Sequence, residues 1–135
     1  MEKEFIPYEQ ALTLKELGFN EPCFGYYKHE ELLIEGKYKN SDHGFSISVP
    51  TFSQAFRWFR ENYNLHCFIQ CPEEPIGKEI HTYTKWCFSV FEINKQELFF
   101  SNEKYNTYEE AELECLKKLI EIVKKQQEYE SNIIV

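Results

Sequence analysis

Apolar residues recur at steps of three and four along residues 107–125. Tyr108, Ala111, Cys115, Leu116, Leu119, Ile122 and Val123 fall on one helical face, which Leu113 and Ile120 widen. Thr107-Tyr108-Glu109-Glu110 reads as a capping box: the Thr107 hydroxyl accepts from the amide three residues on, and Glu110 reaches back to the cap amide. Acids fill the first turns and Lys117, Lys118, Lys124 and Lys125 the later ones, the order a helix dipole favours. So wide a stripe suits packing on a sheet. Residues 126–132 are polar and are expected to fray.

Thr51-Phe52-Ser53-Gln54-Ala55 repeats the start signal and opens a helix over residues 51–63. Its core stripe is read as Phe52, Ala55, Phe56, Phe59 and Tyr63. Trp58 falls about 100° from its neighbour in sequence, off that stripe, and Arg57 and Glu61 face solvent. Pro7-Tyr8-Glu9-Gln10-Ala11 is a weaker third copy, within a helix over residues 5–18 that Gly18 is placed to end.

Strands are expected between the helices. Residues 23–29 alternate, with Cys23 and Tyr27 on one face and Phe24 and Tyr26 on the other. Residues 32–34 continue after a Glu30-Glu31 turn, and residues 36–44 form a loop in which Asn40 is a turn former. Phe45-Ser46-Ile47-Ser48-Val49 alternates, so one face is expected to be buried and one polar. Residues 66–71, 80–93 and 97–101 complete the set. In the stretch 80–93, Trp86, Phe88 and Val90 line one face and Cys87, Phe91 and Ile93 the other, the pattern of a central strand covered on both sides. The order α-β-β-β-α-β-β-β-α predicts an α+β fold, a mainly antiparallel sheet with three helices packed on it. One domain is expected over residues 1–130, followed by an apolar tail at 131–135.

Composition narrows the function classes. Aromatics make up 17% of 135 residues, enough to build a core from rings rather than disulfides. A net charge of −8 disfavours counterion-release binding to phosphates, so nucleic acid is a disfavoured partner. The five cysteines, an odd count, and an N-terminus without an apolar signal core lead to the expectation of a reduced, cytoplasmic protein with free buried thiols. No apolar run approaches the roughly 20 residues that cross a bilayer.

Candidate chemistry is sparse. Cys67 and Cys71, with His66 and His81, have no zinc-ligand spacing: four residues of strand span about 13 Å, against zinc–sulfur bonds of about 2.3 Å. No metal and no cofactor is expected. Cys23 with His29, or Cys71 with His81, could supply a nucleophile and base, but nothing local raises one thiol above the others. Adjacent acids such as Glu73-Glu74 diverge from one another and form no acid/base pair. No phosphate-binding loop or nucleophile elbow is present. Trp58, Tyr26 and Tyr27, beside Arg57 and Arg60, are the candidate ligand- or partner-binding residues: rings to stack a base and guanidinium groups for phosphate.

The segments 5–12, 14–19, 21–27, 50–60 and 107–122, among them Glu21-Pro-Cys-Phe-Gly-Tyr-Tyr and Pro50-Thr-Phe-Ser-Gln-Ala-Phe-Arg-Trp-Phe-Arg, resemble small proteins carried by phages, prophages and mobile elements of gut-type anaerobic bacteria. The resemblance covers nearly the whole chain. It implies an accessory protein of the bacterial cytoplasm, and it carries over no catalytic or binding residue because no activity is established for that group.

The expectation is therefore a non-enzymatic binding or interaction module of phage or mobile-element origin, with a protein partner or a small ligand. A homodimer is expected if the strand at 86–93 has too few helices to cover it. The alternatives are a binder of a nucleotide-like ligand and a cysteine- or histidine-dependent enzyme. An acidic mimic of nucleic acid ranks last, because the acids are interspersed with 15 basic residues.

Overall fold

The computed structural model describes residues 2–42, 44–75, 81–95 and 97–133. The elements are α1 (Tyr8–Glu16), β1 (Cys23–Lys28), β2 (Glu31–Tyr38), β3 (Ile47–Val49), α2 (Phe52–Tyr63), β4 (Leu65–Gln70), β5 (Glu74–Pro75), β6 (His81–Thr82), β7 (Cys87–Glu92), β8 (Glu97–Phe100) and α3 (Tyr108–Ile133). All ladders among the described residues are antiparallel, and the class is α+β. The strands divide into two three-stranded sheets, β2-β1-β3 and β4-β7-β8, with a two-residue ladder between β5 and β6. Two compact units result: Met1–Trp58 with Ile120–Val135, and Phe59–Leu119. The divisions fall inside α2 and α3.

In the first unit, α1 closes with a Schellman motif. Gly18 takes φ +103°, its N–H reaches Lys15 O at 3.1 Å, and the Phe19 N–H reaches Leu14 O at 2.9 Å. β1 and β2 turn at His29-Glu30, one residue earlier than the pattern suggests, with φ of 53° and 67°. Positive φ at both central residues is the turn whose twist matches a hairpin. β2 runs on to Tyr38, past the expected end at residue 34, because pairing with Cys23 supplies backbone hydrogen bonds that no side-chain pattern announces. Gly25 is required by close approach: a Cβ there would lie 2.8 Å from Phe5 Cε1.

The alternation expected at residues 45–49 fails. Phe45 is 100% exposed, whereas Ile47, Ser48 and Val49 are all buried. Ser48 is tolerated inside because its hydroxyl donates to Tyr38 O at 2.9 Å and its N–H donates to Asn40 Oδ1 at 2.8 Å. Asn40 in turn donates through Nδ2 to Phe19 O at 2.8 Å. The residue read as a loop turn former is a buried bridge between β3 and the end of α1's cap.

In the second unit, β7 is central as expected. It pairs with β4 in the register Leu65↔Glu92, Cys67↔Val90 and Ile69↔Phe88, and with β8 through Ser89↔Phe100 and Val90↔Phe99. The Thr107 cap of α3 is present: Thr107 Oγ1 accepts from the Glu110 N–H at 3.1 Å. Glu110 reaches back one residue further than expected, to the Asn106 N–H at 3.1 Å. Thr107→Ala is expected to cost about 1 kcal/mol, read as a fall in urea midpoint with unchanged slope.

α3 continues through Ile133 instead of fraying at 126. Its last turns are rich in Lys, Gln and Glu, which are good helix formers, and Lys125 pairs with Glu121 at 2.9 Å. Expectations for Ile80, Ile134, Val135 and Gln96 lie outside the described residues, as does the side chain of His81.

Candidate functional site

Four of the five residues proposed from the sequence, Trp58, Arg57, Tyr26 and Tyr27, lie in the first unit, where they do not share a surface. Trp58 is only 6% exposed, and its ring meets Phe19 edge to face at 5.5 Å. It belongs to the core stripe with Ala55 and Phe59, while Phe52 and Phe56 are only half-buried. Tyr26 and Tyr27 are consecutive in β1 and so project to opposite faces. The Tyr26 ring meets Tyr38 at 5.8 Å and its hydroxyl donates to Glu35 at 2.7 Å. Tyr27 meets Tyr8 at 5.4 Å and donates to Ile6 O at 3.2 Å. Arg57 lies 3.9 Å from Glu21 in an exposed, weak ion pair. Arg60 belongs to the second unit, where its charge acts on Cys67.

A cleft of about 480 Å³ in the first unit is lined by Phe5, Phe24, Ile34, Thr51 and Glu4. Among the described residues its one charged lining residue is an acid, which is unsuited to a phosphate. Among the described residues, no group of three or more His, Cys, Asp or Glu side chains is gathered to hold a metal ion. No described helix is long and apolar enough to cross a membrane.

The second sheet presents a different kind of surface. Residues 65, 67 and 69 of β4 share a face with Phe88, Val90 and Phe99. That is the side of α3: Lys118 Nζ lies 4.2 Å from the centre of the Phe99 ring. The opposite face carries His66, Phe68 and Gln70 on β4, Cys87, Ser89 and Phe91 on β7, and Phe100 on β8. Phe68 is 47% exposed and Phe100 43%, and they flank the buried Ser89. Phe91 sits beside them, 6.0 Å from Phe68, with the His66 ring stacked on it at 5.7 Å. At the β8 edge the exposed Glu97 pairs with Phe91 and brings a carboxylate to this face.

The thiols differ sharply in environment. Cys23 Sγ donates to Glu21 O at 3.3 Å, and burial together with the nearby Glu21 charge pushes its pKa up to about 12. Burial also raises that of Cys87. Cys67 goes the other way. The Cys115 thiol donates a hydrogen bond to it and Arg60 adds positive charge, which together outweigh burial and the Glu112 carboxylate. Cys115 is raised for the matching reason: its proton is held by Cys67 and it is fully buried. Tyr108 stands against the same group, and burial, Glu112 and both thiols raise its pKa.

Sequence reasoning paired Cys23 and Cys71 with histidines and missed this pair. A signal was present. Cys67 is in phase with Leu65 and Ile69, and Cys115 lies on the apolar stripe of residues 107–125, so both point into the layer between strand and helix. Comparison of the chain with protein-family models, curated proteins and solved structures finds no match.

Proposed function

We propose that this chain is a non-enzymatic interaction module of a phage or mobile element, and that it binds a short apolar segment of a protein partner on the open face of β4-β7-β8. The observation that carries this reading is the cluster of Phe68, Phe91 and Phe100, with the carboxylate of Glu97 at its edge opposite Phe91. Exposed apolar patches rimmed by polar residues are where soluble proteins meet partners. The phage origin rests on the sequence resemblance alone.

Size favours a helix as the occupant. Strands of six, six and four residues make a face about 14 Å wide and at most about 20 Å long, under roughly 300 Å². A stable dimer buries about 800 Å² on each partner, so this face alone is too small for one. A helix is about 10 Å across, and 20 Å of it takes about 13 residues. With a chain charge of −8, a helix whose polar back is basic is drawn in faster than an acidic one.

The test is a titration of the ¹⁵N-labelled protein with a synthetic Leu/Lys amphipathic helix of about 14 residues. Saturable shifts confined to β4, β7 and β8, weakened at least about tenfold by Phe68→Glu, are expected. Shifts elsewhere, or none, would overturn the reading. Tighter binding of single-stranded RNA on the same rings would replace the protein partner with nucleic acid. A dimer in sedimentation that Phe68→Glu dissociates would make the partner a second copy.

A further inference from the structure

We infer that the cleft beside β1 and β2 is a binding site for a small apolar amine, a molecule with an aromatic or aliphatic body and one ammonium group. This is independent of the binding reading, because every lining residue belongs to the first unit and the open face of β4-β7-β8 belongs to the second.

The fold builds the cleft from a break in strand pairing. Cys23 pairs with Tyr38 and Gly25 with Ile34, so two steps along β1 match four along β2. Gly36 lies within the extra length, at φ +71°. Irregularities of this kind re-aim side chains, and Phe24 stands at the shift. In an unbroken ladder Phe24 and Ile34 would face opposite sides, because Ile34 is the partner of Gly25. Here both line the cleft. Phe5 completes the apolar lining. It is held by its bridge to Thr51 and by the bare backbone of Gly25, where a Cβ would lie 2.8 Å from Phe5 Cε1.

Exposure marks the same place. Phe24 is 62% exposed and Ile34 38%, so the core leaves both in solvent, and both open on one cleft. Its volume of about 480 Å³ falls within the roughly 300–1,000 Å³ of small-molecule sites.

Charge selects the ligand class. Among the described residues, the polar side chains that line the cleft are Glu4 and Thr51. A carboxylate only accepts hydrogen bonds. Thr51 Oγ1 accepts from the Gln54 N–H at 3.2 Å and keeps a second lone pair. Both can accept from an ammonium group, whereas an anion meets the Glu4 charge. Lys37 Nζ lies 5.9 Å from the centre of the Phe24 ring, so a second cation is disfavoured beside that ring. The ammonium therefore belongs at the Glu4 end, with the apolar body against Phe5, Phe24 and Ile34. Glu4 is exposed, so its charge adds modestly to an affinity set mainly by apolar contact.

The test titrates the full-length ¹⁵N-labelled protein with three probes that share one body: phenylbutylamine, phenylbutyrate and phenylbutanol. The amine is expected to give saturable shifts at Glu4, Phe5, Phe24, Ile34 and Thr51. It should bind about tenfold more tightly than the acid, with the alcohol between them. Glu4→Gln should weaken the amine about threefold and leave the alcohol unchanged. Phe24→Ala should weaken amine and alcohol alike, about tenfold, with a urea midpoint near that of wild type because the ring is mostly exposed. No saturable shift with the amine overturns the assignment, as does an acid that binds as tightly as the amine. Shifts confined to β4, β7 and β8 overturn it too, and leave the reading of that face standing. If Phe24→Ala does not fold, the wild-type ranking of the probes and its change in Glu4→Gln decide the matter.

Discussion

Asn40→Ala is expected to lower stability by about 3 kcal/mol, a shift of about 1.5 M in the urea midpoint. The side chain is 7% exposed and bonds two backbone groups, Phe19 O and the Ser48 N–H, each at 2.8 Å. Alanine leaves both without a partner in a buried place, and each orphan costs about 1–3 kcal/mol. Asn40→Asp separates the two bonds. The carboxylate still accepts from Ser48 but faces the Phe19 carbonyl with no hydrogen to donate. Protonation restores the donor, so the aspartate's pKa is raised in the folded state above its unfolded value near 3.9. The folded state then binds the proton more tightly than the unfolded state, and this variant gains stability as pH falls through the raised pKa. Wild type, which has no carboxylate there, lacks that gain. Urea midpoints for wild type and both variants at pH 7 and pH 5 measure it. An Asn40→Ala midpoint within about 0.3 M of wild type would mean the bridge contributes little.

Trp58→Ala is expected to cost about 3–5 kcal/mol, because it removes a large ring that the core closes around. Trp58 packs edge to face on Phe19, the residue whose carbonyl Asn40 holds, so the two variants are neighbours in effect and should not be additive. Trp58→Phe keeps an aromatic partner for Phe19 and is expected to lose less than half as much. The result discriminates between two roles for the ring. A core ring gives a large loss of stability and no dependence on ligand. A stacking platform gives an unchanged midpoint and a lost response to nucleotides. A midpoint within about 0.3 M of wild type for Trp58→Ala would overturn its place in the core.

The difference between the expected and observed roles of Trp58 shows where sequence reading stops. The stripe read for α2 includes Ala55 and Phe59, which are buried, but it takes in Phe52, Phe56 and Tyr63, which are half-buried, and leaves out Trp58, which is buried. Rings on several sides of a short helix leave more than one face apolar enough to serve, and only the neighbours decide among them. The same holds at Ser48. A hydroxyl in an alternating strand reads as solvent-facing, and it lies inside because Tyr38 and Asn40 satisfy it from elsewhere in the chain.

Much of the architecture was nonetheless written in local pattern. The three helix starts, the order of elements, the antiparallel class and the central place of β7 follow from caps, alternation and turn residues. These are set by neighbours a few positions apart. The division of the strands into two sheets was not legible, nor was the open face bearing Phe68, Phe91 and Phe100. Each depends on which strand edge and which side of a helix meet across dozens of residues. A side chain's period says which residues travel together. Long-range pairing alone decides what stands on the other side.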